Sequence, residues 1–127
     1  MNLNEWTINF VKHKDIIHRK LEGHEEKGNK IIFKFKDRSE DYIINEKLSA
    51  MLPCSNKATL VCQYNEENFN TFLKNWKELV KNKELTIVFV NPEKNAKWQI
   101  RPYTHNLIAD PDSLDLGLRT MFEASSE

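Results

Sequence analysis

Residues 58–64 read ATLVCQY and residues 85–90 read LTIVFV. Both segments are rich in β-branched and apolar residues, which favours strands, and the second is apolar at nearly every position, as is typical of a central strand. Between them, Asn65 is well placed to cap a helix that carries Glu66 and Glu67 in its first turn. A strand, a helix and a strand in this order predict a βαβ unit with parallel strands and a right-handed crossover.

The connecting helix has the clearest amphipathic pattern in the chain. Its apolar residues recur at spacings of i, i+3, i+4 and i+7, which predicts that one face packs on a sheet. These residues are Phe69, Phe72, Leu73, Trp76, Leu79 and Val80. Lysines gather towards the end of the segment, where the negative end of the helix dipole favours them.

Further elements are predicted on both sides of this unit. Residues 30–36 and 42–45 are short and apolar, and turn-forming residues separate them, so they predict an antiparallel hairpin. Trp98 and Ile100 alternate with polar residues, which indicates another antiparallel strand. Asp110 followed by a proline is typical of a helix start, and an apolar face follows it.

The N-terminal segment fits two patterns. Residues 3–21 carry apolar side chains at helical spacing after a capping residue, Asn2, and we predict one helix there. Alternation of apolar residues at positions 6, 8 and 10 would also suit a strand. Residues 22–29 contain two glycines and separate this helix from the first predicted strand. Residues 46–57 mix helical and loop signals, and we treat them as irregular.

Together these segments predict an α+β fold in the form of a two-layer sandwich. We expect a mixed, mostly antiparallel sheet of about five strands with one βαβ unit, and three helices packed chiefly on one face. Residues 1–127 contain no repeat and no linker-like tract, so they predict a single domain.

Charge and composition narrow the classes of partner. Lysine and arginine together number 19, as do aspartate and glutamate, so the formal net charge is zero. Such a balance gives no long-range attraction to nucleic acid or anionic lipid. No apolar run approaches the ~20 residues of a membrane span, and no signal-peptide pattern is present. We therefore expect a cytoplasmic chain that has no membrane partner.

Neither the histidines nor the cysteines predict a metal or cofactor site. His13 and His18 are five residues apart, about 140° around a helix, which turns the two rings away from each other. Cys54 and Cys62 have neither the spacing of a redox pair nor that of a zinc knuckle. We therefore expect no cofactor and no metal ion.

The richest polar segment spans residues 98–112, and it supplies the candidate binding residues. They are Trp98, Arg101, Tyr103, His105 and Asp110. A permanent cation, an imidazole, a phenol and a carboxylate are what an anion-binding or acid–base site recruits. Ordinary roles compete with this hypothesis, because Arg101 suits an exposed strand face and Asp110 suits a helix cap.

The leading functional hypothesis is a non-catalytic binding or protein-interaction module, with a homodimer as one form. The chain lacks a catalytic signature, and it has apolar positions to spare for a protein partner or a second copy. One set lies on the second face of residues 85–90, and the other set is Ile8, Val11 and Ile16.

Two alternatives stay open. The first is a small hydrolase or transferase with a site around Arg101, Tyr103 and His105. The second is nucleic-acid binding on a basic sheet face, and it is disfavoured because that face shows no exposed aromatic residues. This face would exist if the apolar positions of the outer strands all pointed towards the helices. Its residues would be Lys34, Lys36, Lys97, Gln99 and Arg101.

Overall fold

A mixed sheet lies at the centre of the protein in the computed structural model, which describes residues 1–126. In these residues the sheet has six strands, in the same order as in the chain. The strands are β1 (Leu21–Lys27), β2 (Lys30–Phe35), β3 (Ser39–Ile44), β4 (Ala58–Gln63), β5 (Leu85–Asn91) and β6 (Ala96–Ile100). The predicted α+β class is confirmed.

Five α-helices accompany the sheet in the described residues. They are α1 (Leu3–Lys14), α2 (Glu66–Lys74), α3 (Trp76–Leu79), α4 (Pro102–Ile108) and α5 (Leu114–Ala124). Short 3-10 turns lie at Leu48–Met51, within the segment treated as irregular, and at Pro111–Ser113. The structure therefore has one strand and two helices more than the sequence predicts.

Parallel pairing is confined to the middle of the sheet. Strand β4 pairs in parallel with β3 and with β5, whereas the outer pairs β1–β2, β2–β3 and β5–β6 are antiparallel. The predicted βαβ unit and the predicted β2–β3 hairpin are therefore both present. Register places Tyr42 opposite Thr59, and Thr59 opposite Thr86, so these three side chains form a row across the sheet.

The helix of the βαβ unit is divided in two. Asn65 caps α2 by accepting a hydrogen bond from the backbone N of Asn68 at 2.9 Å, as its position predicts. At Asn75 the helix breaks, and the Asn75 side chain donates to the carbonyl of Thr71 at 2.8 Å. The backbone N of Asn75 donates to the same carbonyl at 3.1 Å, so Thr71 accepts two hydrogen bonds from the residue at which the helix breaks. The apolar face still packs on the sheet, since Phe72 and its neighbours are buried.

The prediction of one helix over residues 3–21 is wrong. Helix α1 ends at Lys14, and the Asp15 carboxylate then accepts hydrogen bonds from the backbone N of Lys20 at 3.0 Å and of Leu21 at 2.8 Å. Arg19 has a φ of 51°, which turns the chain back. Strand β1 begins at Leu21, in residues that the sequence suggested were only a connection.

The two faces of the sheet carry separate hydrophobic clusters. One face holds Leu60, Ile87 and Phe89 beneath helices α2, α3 and α5. The other face holds Val61, Val88 and Val90 beneath α1. Most helices thus lie on one side of the sheet, as expected. The second face of residues 85–90 is covered by α1 of the same chain. A partner subunit had been the cover considered from the sequence.

The other set of apolar residues considered for a dimer interface is Ile8, Val11 and Ile16, and most of it packs inside the protein. Val11 is buried on the side of α1 that faces the sheet, Ile8 packs against the same cluster, and Ile16 remains exposed. In the part of the chain that the structure describes, no helix combines the length and apolarity that crossing a bilayer requires.

Candidate binding cleft

The predicted site residues do not gather in one place. Trp98 is a core residue, 6% exposed, and its ring stacks on Phe89 with centroids 5.2 Å apart. Asp110 caps the second 3-10 turn by accepting a hydrogen bond from the backbone N of Asp112 at 3.0 Å. Both side chains therefore have structural roles. For Asp110 this role is the helix cap that the sequence indicated as the alternative to ligand binding.

The three residues of the enzyme alternative also separate. His105 lies edge-on to the Trp76 ring at 6.0 Å, and partial burial lowers the pKa of its imidazole. Tyr103 lies beneath the amino group of Lys83, 5.6 Å from its ring centroid. Arg101 instead lines a cleft on the α1 side of the sheet. The structure therefore brings only Arg101 of these three to that cleft.

The predicted basic sheet face is wrong, because its members lie on two faces. Phe33 and its neighbours on β2 point towards α1, which turns Lys34 to the opposite face. Trp98 on β6 points towards the other helices, which turns Lys97 and Arg101 to the α1 side. In each strand the apolar and polar positions alternate as predicted. The apolar residues of β2, however, pack on the α1 face of the sheet, and those of β6 pack on the opposite face.

A cleft of about 490 Å³, here called the Tyr42 cleft, opens between α1 and the sheet. It lies where the parallel strands β3, β4 and β5 begin and where β6 ends. Its lining comes from five stretches of the chain: Phe10, Lys14, Ser39, Glu40, Asp41, Tyr42, Lys57, Ala58, Thr59, Glu84, Thr86, Gln99 and Arg101. Of these residues, Arg101 was selected from the sequence as a candidate binding residue, and Gln99 was named only as part of the basic sheet face.

The floor of the Tyr42 cleft consists of hydroxyl and amide groups on neighbouring strands. Tyr42, Thr59 and Thr86 follow one another across β3, β4 and β5, and Gln99 extends the polar surface onto β6. Burial and the nearby Glu40 carboxylate raise the pKa of Tyr42 to about 12. The phenol therefore stays protonated at neutral pH and acts as a hydrogen-bonding group.

The charges around the Tyr42 cleft are only partly paired. Glu40 accepts a hydrogen bond from Arg38 at 2.7 Å, and Asp41 lies 3.3 Å from the Lys30 amino group. Within residues 1–126, Lys14, Lys57 and Arg101 form no ion pair with any carboxylate. The cleft therefore carries cations that an anionic group could bind.

An aromatic ring lies beside these cations. Phe10 is half-buried, and one side of its ring stacks on Trp6 at 4.9 Å. The amino groups of Lys14 and Lys97 lie 5.1 and 5.7 Å from the Phe10 centroid. Two like charges near one ring repel each other, so an anion between them would lower the electrostatic energy.

A smaller cleft of about 320 Å³ adjoins the first one and shares Lys14, Glu40 and Tyr42 with it. Its other charges are engaged within the protein, since Lys20 and Arg38 both pair with Asp37, at 3.2 and 2.9 Å. These pairs favour the ionised carboxylate and hold the pKa of Asp37 below its usual value. Among the lysines and arginines that line these two clefts, those without an ion-pair partner in the described residues therefore all line the Tyr42 cleft.

The carboxyl ends of the parallel strands, where ligands of α/β sheets commonly bind, are occupied by the buried Asn68. Its amide donates to the carbonyls of Glu46 and Gln63 at 2.7 and 2.8 Å, and its oxygen accepts from the backbone N of Leu48 at 2.9 Å. These hydrogen bonds tie the segment that follows β3 and the last residue of β4 to α2, whereas the Tyr42 cleft opens at the amino ends of the parallel strands.

The described residues contain no group of three histidine, cysteine, aspartate or glutamate side chains placed to hold a metal ion. Cys62 is buried in the core, and burial raises the pKa of its thiol, whereas Cys54 is half-buried in a loop.

Comparison with models of protein families, with curated proteins and with solved structures finds no match.

Proposed function

We propose that this protein is a non-catalytic binding module that holds an anionic ligand in the Tyr42 cleft. The main support is that Lys14, Lys57 and Arg101 line one cleft without an ion-pair partner in residues 1–126. Their positive charge is offset only by Glu84, since the other two carboxylates of the lining are already paired. An anion would supply the missing negative charge and accept hydrogen bonds from the polar floor.

The chemistry of the lining favours binding over catalysis. A general base that works near neutral pH needs a pKa close to 7, and a nucleophile needs such a base beside it. The cleft has no histidine or cysteine among its lining residues, and its phenol has a pKa of about 12. Glu40 and Asp41 already form ion pairs with Arg38 and Lys30, so neither carboxylate is free to contact a substrate proton.

The proposal can be tested by measuring the binding of two multiply charged anions, citrate and inorganic pyrophosphate, by titration calorimetry at low ionic strength. We expect at least one of them to bind, and Arg101→Gln to weaken its binding about tenfold, which corresponds to about 1.4 kcal/mol. Arg101 is exposed, so its replacement should leave the fold unchanged.

The matched control is Lys34→Gln, which removes the same charge from an exposed position on the opposite face of the sheet. It should bind both anions as the unmodified protein does, because a screened charge on the far face adds little. Equal weakening by the two substitutions, or no binding of either anion, would contradict the proposed function.

A further inference from the structure

We infer that the anion is the phosphate group of a nucleotide-sized phosphate ester, an inference that rests on the function proposed above. Three properties of the Tyr42 cleft support this chemical class: the surplus of positive charge, the number of hydrogen-bond donors on the floor, and the aromatic ring at its side. The cleft volume, about 490 Å³, falls in the range of about 300–1,000 Å³ that is usual for small-molecule sites.

The charge surplus fits a phosphate better than a single carboxylate. Lys14, Lys57 and Arg101 face one unpaired carboxylate, that of Glu84, so the lining has a surplus of about two positive charges. A phosphate monoester carries a charge of about −1.5 to −2 at pH 7, whereas a carboxylate carries only −1. A monoester or polyphosphate therefore neutralises the lining more completely.

The floor of the cleft suits the oxygens of a phosphate. Thr59 and Thr86 offer hydroxyl groups from adjacent strands, and Gln99 offers an amide on the next strand. The three terminal oxygens of a phosphate accept hydrogen bonds in several directions, so they can use donors on neighbouring strands and on the rim together. Arg101 adds a planar fork that binds two oxygens of one phosphate.

Phe10 gives the cleft a place for a flat ring. It is half-buried, it lines the cleft, and its stacking on Trp6 holds the ring in position. A nucleobase of any kind can stack on an aromatic side chain, because every base has a π-face. A nucleoside phosphate combines such a ring with the required charge. Its base would stack on Phe10 by displacing the flexible amino groups of Lys14 and Lys97, which lie 5.1 and 5.7 Å from the ring centroid. Its phosphates would bind these cations and Arg101.

The experiment compares ATP, inorganic pyrophosphate, citrate and a single-stranded oligonucleotide as ligands of the full chain, without magnesium and at fixed ionic strength. We expect ATP to bind at least tenfold more tightly than citrate, and more tightly than pyrophosphate. Phe10→Leu should weaken ATP binding about fivefold or more while changing pyrophosphate binding by less than twofold, because only the base contacts the ring. Chemical denaturation of Phe10→Leu verifies that the variant is folded.

Each outcome of the comparison separates the two claims. Citrate binding as tightly as ATP, with dependence on Arg101, would overturn the phosphate inference and leave the proposed function standing. Equal affinities for ATP and pyrophosphate would overturn the contact between the base and Phe10. A single-stranded oligonucleotide that binds more tightly than ATP would overturn the assignment to a small molecule. Absence of binding by all of these anions would overturn both the inference and the proposed function.

Discussion

Replacement of Phe89 by alanine is expected to lower the free energy of unfolding by about 3–5 kcal/mol. Phe89 lies on the central strand β5 and has no solvent exposure. Its ring packs against Phe72 at 5.6 Å and Trp98 at 5.2 Å, and it joins the sheet to helices α2 and α5. The substitution removes buried apolar surface and leaves a cavity that these large neighbours cannot fill completely. Urea unfolding, followed by tryptophan fluorescence, measures the change.

The control for Phe89→Ala is Leu116→Ala, which shortens an apolar side chain on α5 that is 71% exposed. That change should stay within about 0.5 kcal/mol, because an exposed side chain loses little contact. A cost below about 1 kcal/mol for Phe89→Ala would contradict the core described above, since full burial of the ring requires a larger loss.

Asn68→Asp is expected to cost about 2–5 kcal/mol of stability at pH 7, although it preserves the shape of the side chain. An ionised aspartate can still accept the hydrogen bond from the backbone N of Leu48. It cannot donate to the carbonyls of Glu46 and Gln63, which would then face a buried negative charge. The cost should shrink at acidic pH, because a protonated carboxyl can donate one of the two lost hydrogen bonds.

Asn70→Asp is the matched control, since Asn70 lies on the same helix and is exposed. Thermal unfolding of the two variants between pH 4 and pH 8 compares them directly. A similar, small and pH-independent effect of both substitutions would contradict the role of Asn68 in tying the segment after β3 and the end of β4 to α2.

The βαβ unit could be predicted from the sequence because its local signals agree. Residues 85–90 are apolar on both faces, and Asn65 precedes a helix with a regular apolar stripe, so propensity, periodicity and capping all indicate the same elements. The break at Asn75 was missed because the apolar stripe continues through it, from Phe72 to Trp76 and Leu79, so apolar periodicity does not detect it.

The N-terminal region could not be predicted in the same way. Strand β1 has the sequence LEGHEEK, which lacks the alternation of a half-buried strand because most of its side chains are exposed at the sheet edge. Its position depends on pairing with β2 and on the reversal that Asp15 stabilises. Both are contacts between parts of the chain that local patterns do not report.

The candidate cleft was hidden from sequence reasoning for a related reason. Its residues come from four strands and the positions that flank them, together with two residues of α1, and none of these short segments forms a recognisable motif along the chain. Arg101 was selected for its charge, but the residues selected beside it lie elsewhere because β6 ends there and α4 turns the following side chains away. Only the sheet register brings Tyr42, Thr59 and Thr86 together.

The most direct test of the proposed function is a nuclear magnetic resonance titration of the isotopically labelled protein with inorganic pyrophosphate. We expect the largest saturable shifts of backbone amide signals at Tyr42, Thr59, Thr86, Gln99 and Arg101, which surround the cleft. The amides of β1 and of α5 should shift little. Shifts centred on His105 or Cys54, or shifts that spread evenly over exposed lysines without saturating, would contradict a ligand site in the Tyr42 cleft.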